Sequence, residues 1–356
     1  MYFLKKDSAD GRLLTWKVSA HAIAEHPFGV GLGNFSHAYG EAQAAYFAGG
    51  RATETEEHVA GVPEYGFNEY LQIAIEAGIP SLLLFLTVLV FAFIQVARTR
   101  EWGVMGALAS LLVFALFSYP FSVLPFLLVF VFLLSVGGKT QKNEATQITQ
   151  TTQATEIAET TPIAPLTKIT KIAEKTKQLY PLFVVIPCFL LVCFCLYRQY
   201  PVYEAYKQWN TCRLYYHNGM YKQASIQYEQ FYPYLNDQIK FLFEYAQSLS
   251  HTGHYQQSNV VLERAIQISC DPMLYNIMGK NCQSMKEYVQ AEKYFIHATH
   301  LVPNRLYPWY LLTKLYDEMG LPAKACAAAY IVQTKEPKVQ SQAIKQMRKE
   351  VKKYCK

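Results

Sequence analysis

The sequence predicts an all-α protein: a polytopic helical membrane segment with a large outer loop, followed by an α-solenoid of helical repeats. The 356 residues are 51% hydrophobic and only 17% charged, whereas soluble domains usually carry about a quarter charged residues. The apolar excess is confined to 79–97, 103–136 and 180–197. These stretches predict the membrane segment, and a repeat that fills residues 203–356 predicts the solenoid.

The outer loop occupies residues 1–78. Its first residues, Tyr2 to Leu4, are apolar and precede Lys5 and Lys6, an arrangement typical of the last turn of a helix that leaves a membrane. The opening lacks the apolar core and the cleavage site of a signal peptide. We therefore expect this chain to be the C-terminal part of a larger membrane protein, a truncated copy.

The first span follows the loop directly. Residues 79–97 contain 19 residues and no charge, which is enough to cross the roughly 30 Å of hydrocarbon in a bilayer. The next apolar stretch, 103–136, has 34 uncharged residues and is too long for one ordinary span. Because Pro120 near its middle cannot donate a helical hydrogen bond, we predict two short crossings at 103–118 and 121–136. A single kinked span is the alternative.

Charge predicts the topology. Arg98 and Arg100 follow the first span and place that end in the cytoplasm by the positive-inside rule, so the loop lies outside. Residues 137–178 are rich in Thr, Gln, Ala and Lys and predict a disordered cytoplasmic linker. The span 180–197 then carries the repeat domain outward. If 103–136 crosses once, the linker and the repeat domain exchange sides.

The repeat has a period of 33 or 34 residues. Its matching segments are "GMYKQA", "GHYQQS", "KEYVQA" and "GLPAKA", which begin at residues 219, 253, 286 and 320. A small residue recurs at one position, where it lets two helices approach closely: Ala224, Ser258, Ala291 and Ala325. This pattern resembles the tetratricopeptide repeat. Solenoids of this kind are mostly binding surfaces, so we expect a protein partner.

Two features of the repeat domain have alternative interpretations. Its many tyrosines favour helix packing over a ligand platform; they include Tyr215, Tyr216, Tyr228, Tyr232, Tyr245 and Tyr255. The C-terminal segment "KQMRKEVKKYCK" predicts a basic helix, with either a solvated face or a face that contacts anionic lipid or glycan.

The outer loop carries three motifs in order. Arg12 and Trp16 lie four apart on a helix that must end by Pro27, and "HPFGVGLGNF" follows with glycines at Gly29, Gly31 and Gly33. No β-strand precedes this glycine turn, which disfavours a dinucleotide site. The third motif, "FNEYLQIAIEAGIP" at 67–80, is a polar helix that runs into the first span.

Together these motifs resemble the O-antigen ligase/polymerase superfamily over roughly residues 8–136. The resemblance implies a helical bundle of the bacterial inner membrane with the outer loop in the periplasm, and the charge-based topology then places the repeat domain on the same side. It implies transfer of a glycan from an undecaprenyl-pyrophosphate carrier to a hydroxyl of lipid A-core, a growing chain or a protein. It implies no metal, cofactor or nucleotide sugar. The expected partners are the lipid-linked glycan, the acceptor glycolipid or protein, and membrane lipid, but no nucleic acid.

The leaving pyrophosphate requires a cation. Arginine is suited to this role because its planar fork holds phosphate with two hydrogen bonds and stays charged. Arg12 is the first candidate, with pairing to a carboxylate or a lipid headgroup as the alternative. Arg51, in the polar stretch "GGRATETEEH", is the second.

The acceptor hydroxyl requires a base or an orienting group. The family commonly has His at the position that Phe67 occupies here, so another residue must serve. The candidates are His58, Glu69 and Glu76. Asn68 either caps the helix start or orients the acceptor.

A second function class remains open. The eight cysteines show no CxxC spacing, so the sequence predicts no metal site. Phe67 and the absence of further membrane helices favour a non-catalytic, membrane-anchored adaptor that scaffolds an envelope complex. Arg12 and the glycine turn favour the transferase.

Overall fold

The computed structural model describes residues 2–137 and 166–355. Within these ranges the chain is helical and has no β-strand. The helices of the outer loop are α1 (Tyr2–Glu25), α2 (Phe35–Ala48), α3 (Glu54–Val59) and α4 (Glu69–Glu76). The apolar region that follows contains α5 (Gly78–Thr99), α6 (Trp102–Ala115), a 3₁₀ turn (Pro120–Ser122) and α7 (Leu124–Gly137).

The outer loop has a small hydrophobic core of its own. Val18 of α1, Tyr39 of α2 and Ile75 of α4 are each at most 1% exposed and pack in one cluster with Val59 and Ala60. A capping box at Thr53 and Glu56 begins α3, and Lys17 of α1 pairs with Glu56 at 2.7 Å. The loop is therefore a folded unit.

In the described parts of the chain, α5 alone is long and apolar enough to cross a membrane. Its apolar side chains are largely exposed; Leu84 is 66% and Phe91 is 63% accessible, as expected for a face that meets lipid. The stretch 103–136 forms two helices, α6 and α7, of 14 residues each. They are joined by eight residues around the 3₁₀ turn rather than by a sharp bend at Pro120.

A long helix leads into the repeat domain. The predicted linker 137–178 lies mostly outside the described residues, but α8 (Leu166–His217) begins before the linker's expected end. Residues 166–178 are thus helical, in contrast to our expectation of disorder. Leu166, Ile169 and Ile172 recur at helical spacing, and extending an existing helix is far easier than nucleating one. The predicted span 180–197 lies inside α8.

The repeat domain consists of antiparallel helix pairs, which confirms the predicted solenoid. After α8 these helices are α9 (Tyr221–Leu235), α10 (Ile239–His251), α11 (Tyr255–Ile266), α12 (Pro272–Ser284), α13 (Tyr288–Leu301), α14 (Tyr307–Glu318), α15 (Pro322–Thr334) and α16 (Gln342–Val351). The small residues that defined the period are at most 1% exposed: Ala224, Ser258, Ala291 and Ala325. They lie where neighbouring helices pack.

Some of the tyrosines pack in the core, and one arginine of the basic helix contacts the neighbouring helix. Tyr228 and Tyr245 belong to the core of the first two helix pairs. Arg348 of α16 donates to the carbonyl oxygens of Val332 and Lys335 at 3.1 and 2.8 Å. The last carbonyls of a helix lack hydrogen-bond partners within it. Arg348 supplies donors to these carbonyls at the C-terminal end of α15.

The repeat domain packs directly on the outer loop through α13 and the turn after it. Gln43 of α2, which is fully buried, accepts from Tyr39 at 2.6 Å and donates to the carbonyls of Gly61 and Leu301. The amide of Asn304 donates to the carbonyl of Ala60. These contacts join the two units.

Charged groups reinforce the same interface. Lys335 pairs with Glu57 of α3 at 2.6 Å. Glu41 of α2 accepts from the Tyr275 hydroxyl at 3.0 Å and lies 3.3 Å from Nε2 of His297. Hydrogen bonding to His297, opposed by burial, holds the pKa of the Glu41 carboxyl below its usual value. These partly exposed pairs add specific polar contacts to the interface.

Candidate functional site

Arg12 lines a cavity of about 310 Å³ at the inner side of α1. Ser8, Arg12 and Thr15 lie at helical spacing and all line this cavity. The Arg12 Nη1 donates to the carbonyl of Phe117 at 3.3 Å, which leaves further guanidinium N–H groups available. The cavity can therefore receive an anion at an exposed arginine.

A row of aromatic rings begins beside Arg12. The guanidinium carbon lies 5.6 Å from the centroid of the Phe67 ring. Phe67 contacts Tyr119 edge-on at 5.6 Å, and Tyr119 stacks on Tyr65 at 4.7 Å. The backbone φ of Phe67 is 48°, a left-handed conformation that costs an ordinary residue about 1–2 kcal/mol. Such strain is found preferentially at functional positions.

Two charged residues of this cavity were not anticipated. Asp7 lines it from α1, and Lys338 enters from the repeat domain. Asp7 precedes Arg12 by five residues on one helix, so a search of that helix for charges could have found it. Lys338 is 326 residues away in the chain, and no local pattern connects it with Arg12. The structure thus adds a second cation and a carboxylate.

Arg51 does not share this cavity. It lines a separate space of about 310 Å³ with His21 and Glu25 of α1, and the two cavities have no lining residue in common. His21 is nine residues beyond Arg12, about 13 Å along a helix that rises 1.5 Å per residue. Arg51, the second candidate for the pyrophosphate, therefore lies in a different space from Arg12.

His58 lies near the Arg12 cavity but does not line it. It is the fifth residue of α3, and its neighbours Val59 and Gly61 line the cavity. Its backbone carbonyl accepts from Asn304 at 2.9 Å. The structure therefore fixes the backbone of His58 by a contact to the repeat domain.

Asn68 and Glu69 hold the start of α4 and the turn between α6 and α7. The Asn68 Oδ1 accepts from the N–H groups of Tyr70 and Leu71 at 3.0 and 3.1 Å, which confirms the predicted cap. Glu69 is 3% exposed, and its Oε1 accepts from the N–H groups of Phe121 and Ser122 at 2.6 and 3.3 Å.

Burial raises the pKa of the Glu69 carboxyl, and the two backbone hydrogen bonds oppose that effect. The Oε1 of Glu69 already accepts two hydrogen bonds from the backbone of the turn between α6 and α7. These contacts give Glu69 a structural role.

Glu76 faces a different space. With Gln72 it lines a cavity of about 660 Å³ between the outer loop and the start of the repeat domain, opposite Arg213 and Lys240. Its side chain lies 3.4 Å from Nε2 of Gln72. The cavities of Arg12 and Glu76 share no lining residue, so these two candidates do not converge on one reacting atom.

The glycine turn holds the break between α4 and α5. The N–H groups of Val30 and Gly31 donate to the last carbonyls of α4 at 3.0 and 2.9 Å, and Ile79 donates to the carbonyl of Pro27 at 2.9 Å. A β-carbon on Gly29 would lie 2.6 Å from the carbonyl oxygen of Glu76. The turn thus needs glycine for close backbone approach, and these amides are not available to a phosphate.

The Arg12 cavity therefore combines two cations, one carboxylate and an aromatic wall. This set can bind a phosphate, neutralise charge that develops on it and accept a proton. Residues 2–137 and 166–355 contain no group of three His, Cys, Asp or Glu residues that could hold a metal ion.

Comparison with known families agrees with both parts of this architecture. Residues 2–86 match a family described as O-antigen ligase. Residues 206–271 match a family described as YpiA-like, C-terminal tetratricopeptide repeats. The chain thus joins a segment similar to O-antigen ligases to a segment similar to tetratricopeptide repeats. No curated protein matches it.

Several solved structures match part of the chain. Two crystal structures of MamA are each 18% identical; one match covers 40% of this chain and 90% of MamA with a TM-score of 0.32, and the other covers 43% and 87% with a TM-score of 0.33. A structure described as a Podosopora anserina putative kinesin light chain with nearly identical TPR-like repeats is 15% identical over 44% of this chain and 88% of its own, with a TM-score of 0.34.

Proposed function

We propose that this chain is part of a glycan transferase of the bacterial envelope, with the Arg12 cavity as its donor phosphate site. The observation that carries the proposal is the position of Arg12 at a cavity that Lys338 also lines, within a segment that matches O-antigen ligases. The donor is an undecaprenyl-pyrophosphate-linked glycan, and the acceptor offers a hydroxyl.

The reaction is a substitution at the anomeric carbon of the donor. The acceptor oxygen forms a bond to this carbon, the bond from the carbon to the pyrophosphate oxygen breaks, and undecaprenyl pyrophosphate leaves with the electron pair. Arg12 and Lys338 stabilise the negative charge that grows on the leaving oxygen. Cationic groups placed where charge develops in the transition state are among the largest contributors to enzymatic rate enhancement.

The hydroxyl proton requires an acceptor within the same cavity. Asp7 is the one carboxylate among the lining residues, so we assign the proton to Asp7. This assignment replaces His58, Glu69 and Glu76. His58 does not line the cavity, Glu69 binds the backbone near Phe121, and Glu76 faces another space.

The contact between the outer loop and the repeat domain supports our topology. Asn304 and Ala60 can meet only if both units lie on the same side of the membrane. An even number of crossings must therefore separate them. If α6 and α7 lead the chain out and back as a hairpin, they add an even number of crossings to those of α5 and the apolar part of α8, whereas one kinked crossing at 103–136 makes the total odd. We propose that both units are periplasmic and that the chain is a multi-pass protein of the inner membrane.

The test is complementation of a deletion strain, with surface glycan measured by gel electrophoresis and the protein quantified by immunoblot. We expect Arg12→Ala to lower transfer about 100-fold, as removal of one such stabilising group does elsewhere. Arg12→Lys should restore part of the transfer activity. Lysine keeps the positive charge but lacks the planar guanidinium that forms two hydrogen bonds to phosphate. The control is Lys222→Ala, an exposed cation of α9. An unchanged amount of surface glycan in the Arg12→Ala strain would show that the cavity does not take part in the reaction.

A non-catalytic adaptor is the second candidate. The observation that favours it is Phe67, an apolar residue next to Arg12 at 5.6 Å, where the resembling family commonly has histidine. An adaptor requires the folded loop and repeats but not Arg12. Full complementation by both Arg12→Ala and Asp7→Asn would favour the adaptor.

A further inference from the structure

The glycine turn, residues 26–35, exposes two large apolar side chains. Phe28 is 83% and Leu32 is 82% accessible, more than any other large apolar side chain whose exposure the structure describes. Both belong to a run, residues 27–34, that contains no charged residue. Because apolar surface is costly to leave in water, two such side chains on one short turn indicate a partner outside the chain.

The backbone of the turn is fixed against the start of α5. A β-carbon on Gly78, the first residue of α5, would lie 2.5 Å from the carbonyl carbon of Phe28. The N–H of Ile79 donates to the carbonyl of Pro27 at 2.9 Å, and the N–H of Gly31 donates to the carbonyl of Glu76 at 2.9 Å. The exposed side chains therefore stay beside this end of α5.

The length of α5 sets the depth of the turn in a membrane. Its uncharged run, 79–97, has 19 residues and measures about 28 Å at 1.5 Å per residue. The hydrocarbon layer of a bilayer is about 30 Å thick, so the whole run is needed for one crossing. Ile79 then lies at the edge of the hydrocarbon layer. Phe28, whose backbone contacts Gly78, lies at the same edge.

The exit of α8 provides a second, independent marker of this edge. After the apolar part of α8, three tyrosines are 77%, 64% and 65% accessible: Tyr197, Tyr200 and Tyr203. Tyrosine is enriched where membrane helices enter the headgroup layer. Further along α8, Tyr206 lines the cavity of about 660 Å³ that Gly33 of the glycine turn also lines. The turn and the exit of α8 therefore lie on one side of the protein.

We propose that the glycine turn is a membrane-contacting surface, in which Phe28 and Leu32 insert between phospholipids at the level where α5 begins. This inference rests on the proposed crossing by α5 and is independent of glycan transfer. The lipid that covers the exposed Leu83 and Leu84 of α5, which are 59% and 66% accessible, also covers the turn. The contact holds the outer loop against the membrane surface.

The first experiment identifies the molecules that touch the turn. The full chain is made with p-benzoylphenylalanine in place of Phe28, Leu32 or Val289 and is reconstituted in liposomes of phosphatidylethanolamine and phosphatidylglycerol. Val289 is the control because it is 65% exposed and begins α13. The other end of α13 contacts the outer loop through Leu301, about 18 Å away at 1.5 Å per residue.

After irradiation, mass spectrometry identifies what is attached to each position. We expect phospholipid on the chains labelled at positions 28 and 32, and none on the chain labelled at position 289. Attachment of positions 28 and 32 to a second copy of the chain instead of lipid would overturn the proposal. The absence of lipid at both positions would also overturn it.

A charge substitution provides a second, independent test. Phe28→Asp should lower the melting temperature of the full chain in the same liposomes, because a carboxylate at the lipid boundary is costly. Leu32→Asp should have the same effect, whereas the control Val289→Asp should not. Phe28 and Leu32 lose little contact with protein on substitution, since both are largely exposed. An unchanged or higher melting temperature for both variants would show that these side chains face water.

The outcomes separate this inference from the proposed function. Lipid attached at positions 28 and 32 of a chain that transfers no glycan would retain the surface and reject the transferase. Glycan transfer by a chain whose turn acquires no lipid would retain the transferase and reject the surface. Periplasmic activity of a reporter fused after residue 100 would show that α5 does not cross the membrane and would overturn the surface through its premise.

Discussion

The side-chain amide of Asn304 donates to the backbone carbonyl of Ala60 at 2.8 Å, across 244 residues of chain. The same amide lies 2.9 Å from the carbonyl of His58 and 3.2 Å from that of Glu57. These carbonyls are at the end of α3, where helical partners are lacking. A residue of the repeat domain thus caps a helix of the outer loop.

We expect Asn304→Ala to destabilise the association of the two units. The substitution leaves buried carbonyls of α3 without a donor, which costs about 1–3 kcal/mol. The measurement is the melting temperature of the purified chain in detergent, together with the rate at which protease separates the units. Asn210→Ala, at an exposed asparagine of α8, is the control and should change stability by less than about 0.5 kcal/mol. Equal effects of the two variants would contradict this role.

Gly29→Ala should be much more damaging than Gly33→Ala. Both glycines have a positive φ, 86° and 79°, so both substitutions carry the same conformational cost of about 1–2 kcal/mol. Only at Gly29 would the new methyl also meet backbone, at 2.6 Å from the carbonyl oxygen of Glu76, whereas nothing lies within 4 Å at Gly33. The measurements are the protein yield and the melting temperature of the two variants. Similar decreases in both variants would show that the close backbone approach at Gly29 does not matter for stability.

The Glu69 carboxyl should make folding stability depend on pH. Burial raises its pKa above the usual value in the folded chain, so the folded state holds a proton that the unfolded state has lost. Stability from this group is therefore fully present below the unfolded pKa near 4.5 and is lost as pH rises through the folded pKa.

Glu69→Gln should remove this pH dependence while keeping an acceptor for the N–H of Phe121. The quantity to measure is the melting temperature of the variant minus that of the parent, at several pH values above 4. We expect this difference to increase as pH rises, because the parent loses stability on deprotonation of the buried carboxyl and the neutral amide does not. A difference that is constant with pH would show that Glu69 does not titrate in this range.

Reporter fusions test the topology. A reporter active only in the periplasm should work when fused after residue 207 and should be silent when fused after residue 150. The reason is the contact of Asn304 with Ala60, which requires the outer loop and the repeat domain on one side. The opposite pattern would place the repeat domain in the cytoplasm. The outer loop would then lie either in the cytoplasm with it or on the other side of the membrane. A fusion after residue 100 provides the cytoplasmic reference.

The sequence predicted the features that depend on local patterns. The period marked by Ala224, Ser258 and Ala291 specified the helix pairs, because close helix packing needs a small side chain at a fixed place in each repeat. The Asn68 cap was predictable for a similar reason, since its partners are two and three residues away. Each of these signals lies within one helix or one turn.

The candidate site was predicted only in part, because its contacts are distant in sequence. Arg12 was identified, but its cavity partner Lys338 comes from the other end of the chain. Arg51 was grouped with Arg12 by residue type, and the course of α1 separates them. Glu69 was a plausible base until its contact with Phe121, 52 residues away, showed a structural use. No periodic pattern in the sequence predicts which of these distant residues lie together.

The contact between Asn304 and Ala60 also orders events during synthesis. At about 5–20 residues per second, the 244 residues between the two partners take roughly 12–50 s to be made. Throughout that interval the carbonyls at the end of α3 await the Asn304 amide, which has not yet been translated. A chain that stops before Asn304 never acquires this donor. In an incompletely synthesised chain these carbonyls of the outer loop therefore lack their protein partner.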